Sequence, residues 1–313
     1  MDRRSFIKKS ALSGTAAIIG STFLAKPIYA AVSSKKADIT VVEGQNIFDN
    51  TRKAVKMLGG MKKFVKKGDS VGILVNSAFD IKGAYVHPDI TLAAIDMCFE
   101  ANAKEVVCLQ AIDPAYWQRS EHFQKCQPLF ANVRQVDSNV FPAEFNDDDW
   151  MRIDQVKGAK GLKDVEVIKA LMEVDKLINI FIAKHHAGTQ YTGALKNSMG
   201  FCTRKTNVFY HLGSGERNNP DFLAQCIADI NLLRQPDLIL GDATEFIVTN
   251  GPSGPGDISK LDKVFAGTNL VAMDTLGAKY NDLGIDDVPT LIKAEAIGLG
   301  STNLDEINIV ESS

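Results

Sequence analysis

The chain has 313 residues, 45% of them hydrophobic, with 35 basic and 38 acidic side chains and a net charge of −3. A chain of this length buries a large core, as one big domain or two intimate subdomains. Without a basic excess nothing drives phosphate-backbone binding, so nucleic acid is not an expected partner.

The N-terminus reads as an export signal. Arg3-Arg4-Ser5-Phe6-Ile7-Lys8 has the twin-arginine form, residues 11–24 are apolar and short, and Ala30 offers a small-residue cleavage point, with Ala31 as the alternative. Residues 1–30 hold five basic groups and one acid, which leaves 30 basic against 37 acidic groups after the signal, about −7. No cysteine lies near the cleavage point to take a lipid. The expected location is the periplasm, and the first expected partner is the twin-arginine export machinery. Membrane contact is expected only through an uncleaved signal. This route resembles one that carries proteins folded before export, often with a cofactor already inserted.

Beyond the signal, strands and helices alternate through residues 31–313. Ile39–Glu43 reads as a strand, and Asn50–Val65 has helical spacing interrupted by Gly59-Gly60. Ser70–Val75 is a buried strand, Pro88–Ala103 a helix with proline in its first turn, and Glu105–Leu109 the next buried strand. Strand, helix and strand with short joins predict a parallel sheet. The pattern weakens from 115 to 149, and Asn146-Asp147-Asp148-Asp149-Trp150 marks a polar break where a subdomain junction can fall. Val167–Met172 looks helical. Lys176–Ala183 is an apolar strand, a turn is expected over Gly188–Thr192, and Gly193–Cys202 reads as a helix capped by the Thr192 hydroxyl. A helix over Pro220–Leu233, a strand over Pro236–Asp242, a turn-rich loop over Thr249–Gly256, a short strand over Val264–Gly267 and a helix over Leu270–Tyr280 complete the pattern. The expected fold is α/β and three-layered, a mostly parallel sheet flanked by helices.

The chemistry concentrates after the strand ending at Ala183, where α/β proteins place their sites. His186 can act as acid, base or metal ligand, and Lys196, ten residues on, as a compact charge or a nucleophilic amine. Lys184, Thr192 and Asn197 lie in the same stretch and are candidate ligand-binding groups. The helix N-terminus after Thr192 is a candidate anion site. Arg204, Lys205 and His211 can close that pocket around a carboxylate or phosphate, with His211 also a candidate metal ligand. Asp242, Glu245 and Asp274 sit in or beside apolar runs, where an acid needs a partner; each can orient a histidine, hold a cation or cap a helix. Asn76 and His87 follow the strand at 70–75 and form a further group.

Other chemistries are not supported. The loop at 251–256 lacks the Gly-Lys-Ser/Thr ending of a Walker loop, no G-x-G-x-x-G follows the first strand, and no G-x-S-x-G occurs. The five cysteines form no C-x-x-C pair, so buried inert thiols are expected rather than an iron–sulfur cluster.

The segment 184–200, with its Lys-x-His start and Thr-Gly-Ala-Leu-Lys-Asn-x-Met-Gly end, resembles the bacterial and archaeal family of domain of unknown function 362. Asp242, Asn250-Gly-Pro-Ser-Gly and Val271-Ala-Met-Asp274 are similar to that family's later blocks, in the same order, and the likeness runs from about Val71 to Leu299. The chain has Leu74-Val75-Asn76 where the family commonly shows Lys-Pro-Asn. A weaker local likeness joins His186-Ala-Gly, Lys196, Gly200–Thr206 and His211 to the cofactor region of the nickel-pincer lactate racemases. That likeness implies Lys196 as a tether, His186 as a proton carrier and His211 as a nickel ligand. It departs from the family in Ala194-Leu195, where glycines precede the lysine, and in a lysine-to-histidine spacing one residue shorter.

Three functions compete at this point. One is an isomerase or racemase-like enzyme acting on a hydroxy acid or carboxylate with a divalent metal or tethered cofactor. Another is a non-catalytic periplasmic protein that binds an anion or a metal. The third is a redox accessory protein, against which the missing cysteine pairs count.

Overall fold

The computed structural model describes residues 37–136 and 148–313. The signal expected at 1–30 lies outside the described residues, as do Asn146 and Asp147. The described residues all fall in one compact unit.

Its centre is an eight-stranded sheet. The strands are β1 (Ile39–Glu43), β2 (Ser70–Val75), β3 (Glu105–Cys108), β4 (Val133–Gln135), β7 (Lys176–Ile182), β10 (Leu238–Ile247), β11 (Ile258–Gly267) and β12 (Ile309–Ser312). Two small ribbons stand apart from it: β5 (Trp150–Ile153) with β6 (Val165–Ile168), and β8 (Lys184–His186) with β9 (Gln190–Thr192). The order across the main sheet is β12-β1-β11-β10-β7-β2-β3-β4, and β11 alone runs against the others. The parallel strands β2, β3 and β7 are almost wholly buried, as strands covered on both faces must be.

Helices cover the sheet in two groups, giving the three-layer α/β fold. Ile47–Met57 packs on Pro88–Glu100, which is capped at His87 and buries ten of its thirteen residues. Pro289–Ala296 packs on both Pro220–Ile230 and Leu270–Lys279, and the short helix Ala194–Asn197 contacts the latter two and β7. Among the described residues no helix is long and apolar enough to cross a membrane.

Several elements differ from the sequence reading. Val165–Ile168 is a strand and only Ala170–Glu173 is helical, because the β-branched run finds a partner in β5. Strand β11 is ten residues long; its first half is mostly polar and part-exposed, which hides it from an apolar-run criterion. Arg204–Leu212 is a helix, capped by Thr203, whose hydroxyl accepts from the Thr206 amide. The turn expected over Gly188–Thr192 is the second half of a hairpin in which Lys184 faces Thr192.

Candidate anion-binding cavity

The site forms where the sheet reverses its winding. From β2 the chain moves outward to β3 and β4; from β7 it moves the other way to β10. Their parallel C-terminal ends therefore lead away from each other, and a crevice opens at such a switch point. A cavity of about 960 Å³ occupies it. Asn76 after β2, Gln110 after β3 and Lys184 after β7 line its floor, and Lys196 and Asn197 enter from the short helix.

Buried carboxylates and amides hold that helix in place. Asp274, at 2% exposure, accepts from the amides of Ala194 at 2.6 Å and Leu195 at 2.9 Å. Its carboxyl is pushed up to about 7 by burial, against the pull of those two amides. Gly193 gives it room, since a Cβ there would stand 2.3 Å from Asp274 Oδ1. Asn179, a lone amide inside the apolar strand β7, donates to the Ala194 carbonyl at 2.9 Å and accepts from Asn197 at 2.8 Å. Asn197 also donates to the carbonyls of Leu74 and Ile180, joining the helix to both strands at the switch.

Two lysines share the cavity and differ in what surrounds them. Lys184 is fully buried, and its ammonium donates to the carbonyls of Ala84 and Pro252 and to Asn76 Oδ1, 3.5 Å away. These three acceptors match its three donors, and the Phe79 ring lies 4.3 Å from the nitrogen. Lys184 therefore ties loops together. Its pKa is driven well below the ordinary lysine value by burial and by the nearby Lys196 charge. Lys196 is half-buried and has neither a hydrogen bond nor an ion pair among the described residues. Burial lowers its amine to about 8, so it remains mostly charged at neutral pH.

Arg204 and His211 lie on the wall formed by the helix Arg204–Leu212, and Arg217 follows that helix. Arg204 has no ion pair among the described residues, while Nδ1 of His211 lies 2.8 Å from Asn218 Oδ1. Thr192 is 3% exposed, lines the cavity, and its hydroxyl has no hydrogen-bond partner. The expected capping role for Thr192 is thus corrected: Gly193 is the N-cap, and Asp274 supplies the acceptors. With those amides taken, and only four residues in the helix, its N-terminus is not the anion site.

Two further expectations change, while Asp242 and Asp274 hold helix starts, one of the roles expected of them. His186 is absent from the cavity wall; its Nδ1 accepts from the Gly188 amide at 3.0 Å. Burial, and then the charges of Lys196, Lys184, His211 and His185, depress it to about 2. It is therefore held neutral in the physiological range. Lys205 turns away to Glu166 at 2.8 Å. Asp242 accepts from the His87 amide at 2.6 Å and from the amide and hydroxyl of Thr244, fastening the start of the helix Pro88–Glu100. Asp242 and Asp274 are positioning acids for backbone amides; neither hydrogen-bonds a histidine side chain among the described residues. The five cysteines are all buried and unpaired, with burial pushing Cys98, Cys108, Cys202 and Cys226 up to about 12, as inert thiols should be.

The donor set does not fit a metal held by side chains alone. Among the described residues no three His, Cys, Asp or Glu side chains come together, and His211 is the one histidine on the cavity wall. A group tethered to Lys196 would find His211 in the same cavity but would not find His186 there. Sequence reasoning missed Gln110, Arg217, Phe79 and Asn179. A lone amide in an apolar strand was a signal for Asn179, and a polar residue directly after a buried strand was one for Gln110. Arg217, in a polar loop, had none.

The family model described as a domain of unknown function, DUF362, matches residues 71–279. A thylakoid-associated protein of Synechocystis is 23% identical over 269 residues, covering 83% of this chain and 78% of that protein. The lactate racemase apoprotein of Thermoanaerobacterium thermosaccharolyticum superposes with a TM-score of 0.49 at 13% identity, over 78% of this chain and 57% of that one. The chain therefore spans less than two thirds of that racemase chain.

Proposed function

The chain belongs to the family of domain of unknown function 362, and from its cavity we propose that it binds a small organic anion between Lys196 and Arg204 at the switch point of the sheet. One observation carries this reading: Lys184, Lys196, Arg204 and Arg217 line the cavity with Asp113 as its single carboxylate, and Lys196 and Arg204 lack an internal partner among the described residues. The half-buried Lys196 ammonium without counter-charge is costly, and an anion offsets that cost; Arg204 and Arg217 are exposed and add attraction at the mouth. The unpartnered Thr192 hydroxyl adds a hydrogen bond for the same ligand.

The finer reading is an isomerase of racemase type acting on a hydroxy acid or carboxylate. Lys196, brought to about 8 by burial, has the basicity that proton abstraction at neutral pH requires, and His211 offers a second proton-carrying group in the same cavity. The twin-arginine sequence at Arg3-Arg4 supports work in the periplasm after export by that machinery. Cell fractionation of the native host tests the location; retention in the cytoplasm would refute it.

Calorimetric titration of the full chain with phosphate, lactate and malonate tests the binding claim. Saturable binding that K196M weakens is expected. Absence of binding at millimolar ligand, or binding indifferent to K196M, would overturn it. Incubation with lactate in deuterated water then separates the finer readings: hydrogen exchange beside the carboxylate marks an isomerase, and binding without exchange marks a carrier.

A further inference from the structure

We infer that the ligand is amphiphilic: a monocarboxylate whose charged head enters first and whose apolar body lies along the helix Arg204–Leu212. This rests on the anion reading above and narrows it to a substrate class.

The helix carries the argument. Arg204, Val208, His211 and Leu212 fall at positions i, i+4, i+7 and i+8, which is one helical face, and all four line the cavity. That face begins with a cation, and Val208 and Leu212 continue it as hydrocarbon on either side of the His211 ring, about 12 Å from first residue to last at 1.5 Å rise per residue. Val208 is 44% exposed and Leu212 51% exposed. Their neighbour Phe209 is also part-exposed but stacks edge-on with Phe222, 5.5 Å between centroids, outside the cavity. The helix thus leaves two large apolar side chains uncovered on the side where the cations are.

Depth orders the chemistry. Lys184 and Thr192 are buried, and the hydroxyl without a partner is Thr192's, so the polar end of the ligand belongs at the floor. Phe79 and Pro252 lie beside the Lys184 ammonium and Met199 is buried, while the exposed lining includes Val208 and Leu212 together with Arg204 and Arg217, so hydrocarbon flanks the way out from the floor along the helix. A three-carbon acid fills only a fraction of about 960 Å³ and leaves this wall wet. A carboxylate with a hydrocarbon body satisfies the cations and covers the wall together.

The test is calorimetry on the full chain with straight-chain carboxylates from acetate to decanoate, and with decylammonium as the charge control. Affinity should rise about three- to fourfold per added methylene until the wall is covered, the amount expected for burying one CH₂. Decylammonium should bind at least tenfold more weakly than decanoate. The double variant V208S/L212S, altering two part-exposed positions, should lower decanoate affinity about tenfold or more. Equal affinity along the series would overturn the inference while leaving the anion reading intact. Equal binding of the ammonium would overturn both, as would no binding of any carboxylate. A dimer that covers this face and persists in decanoate, seen by sedimentation, would also overturn the inference.

Discussion

Two cavities open beside the C-terminal ends of strands in one sheet, and their charges are arranged differently. The smaller, about 390 Å³ beside the end of β10, contains Lys82, Lys260, Asp242, Glu245 and Asp262. There Lys82 pairs with Glu245 at 2.6 Å, Lys260 lies 3.5 Å from both Glu245 and Asp262, and Asp242 is spent on backbone amides. The larger cavity at the β2/β7 switch leaves Lys196, Arg204 and the Thr192 hydroxyl without partners among the described residues. Charge in a cleft does not by itself mark a ligand site. A part-buried charge and a buried hydroxyl that the fold leaves unsatisfied do, as at Lys196 and Thr192, since native structures otherwise pair what they bury.

The buried acids offer the largest test of that contrast. Each holds backbone amides beside one cavity, so D274A and D242A should each destabilise the fold by about 1–3 kcal/mol in chemical denaturation, for amides left unpartnered. Only D274A should also weaken anion binding, because it releases the helix that carries Lys196. Equal loss of binding in both variants would erase the distinction.

The lysines give the next effect. K196M should reduce anion affinity about 10- to 100-fold, the worth of a charge-assisted hydrogen bond, without lowering the melting temperature. K82M breaks an exposed ion pair and should leave affinity unchanged, with stability altered by less than about 1 kcal/mol. Binding calorimetry and thermal melts read both outcomes.

The pH dependence gives the finest comparison. The Lys196 pKa is depressed in the free protein, and an anion favours its charged form. Through Lys196, affinity therefore falls as pH rises through about 8, approaching about tenfold per unit above it, and Asp274, at about 7, is a second group that titrates in this range. His186 stays neutral because its folded pKa is depressed to about 2, so it adds no inflection between pH 5 and 8. An inflection near 6.5 that H186Q removes would restore His186 as a titrating participant.

Much of this arrangement was legible in the chain. The apolar runs of β2, β3 and β7 marked strands buried on both faces, and alternation with helices marked the parallel sheet. Asn76, Lys184, Thr192, Lys196, Asn197, Arg204 and His211 were all identified, and all line one cavity. What failed was the assignment of roles. Thr192 looked like a cap, but the Asp274 carboxylate, 80 residues away, reaches those amides. Lys205 is adjacent to Arg204 yet faces Glu166, because successive helical residues project about 100° apart.

The sequence by itself determined the class of fold, the strand end at which the chemistry gathers, and the residue types found there, because period, burial and turn chemistry are local properties. Tertiary structure decided which of those groups are already satisfied. Lys184 and Lys196 are the same residue type twelve positions apart. One meets three oxygens brought in by two loops distant in the chain, and the other meets none. That difference depends on long-range packing around a buried charge, which no local pattern encodes.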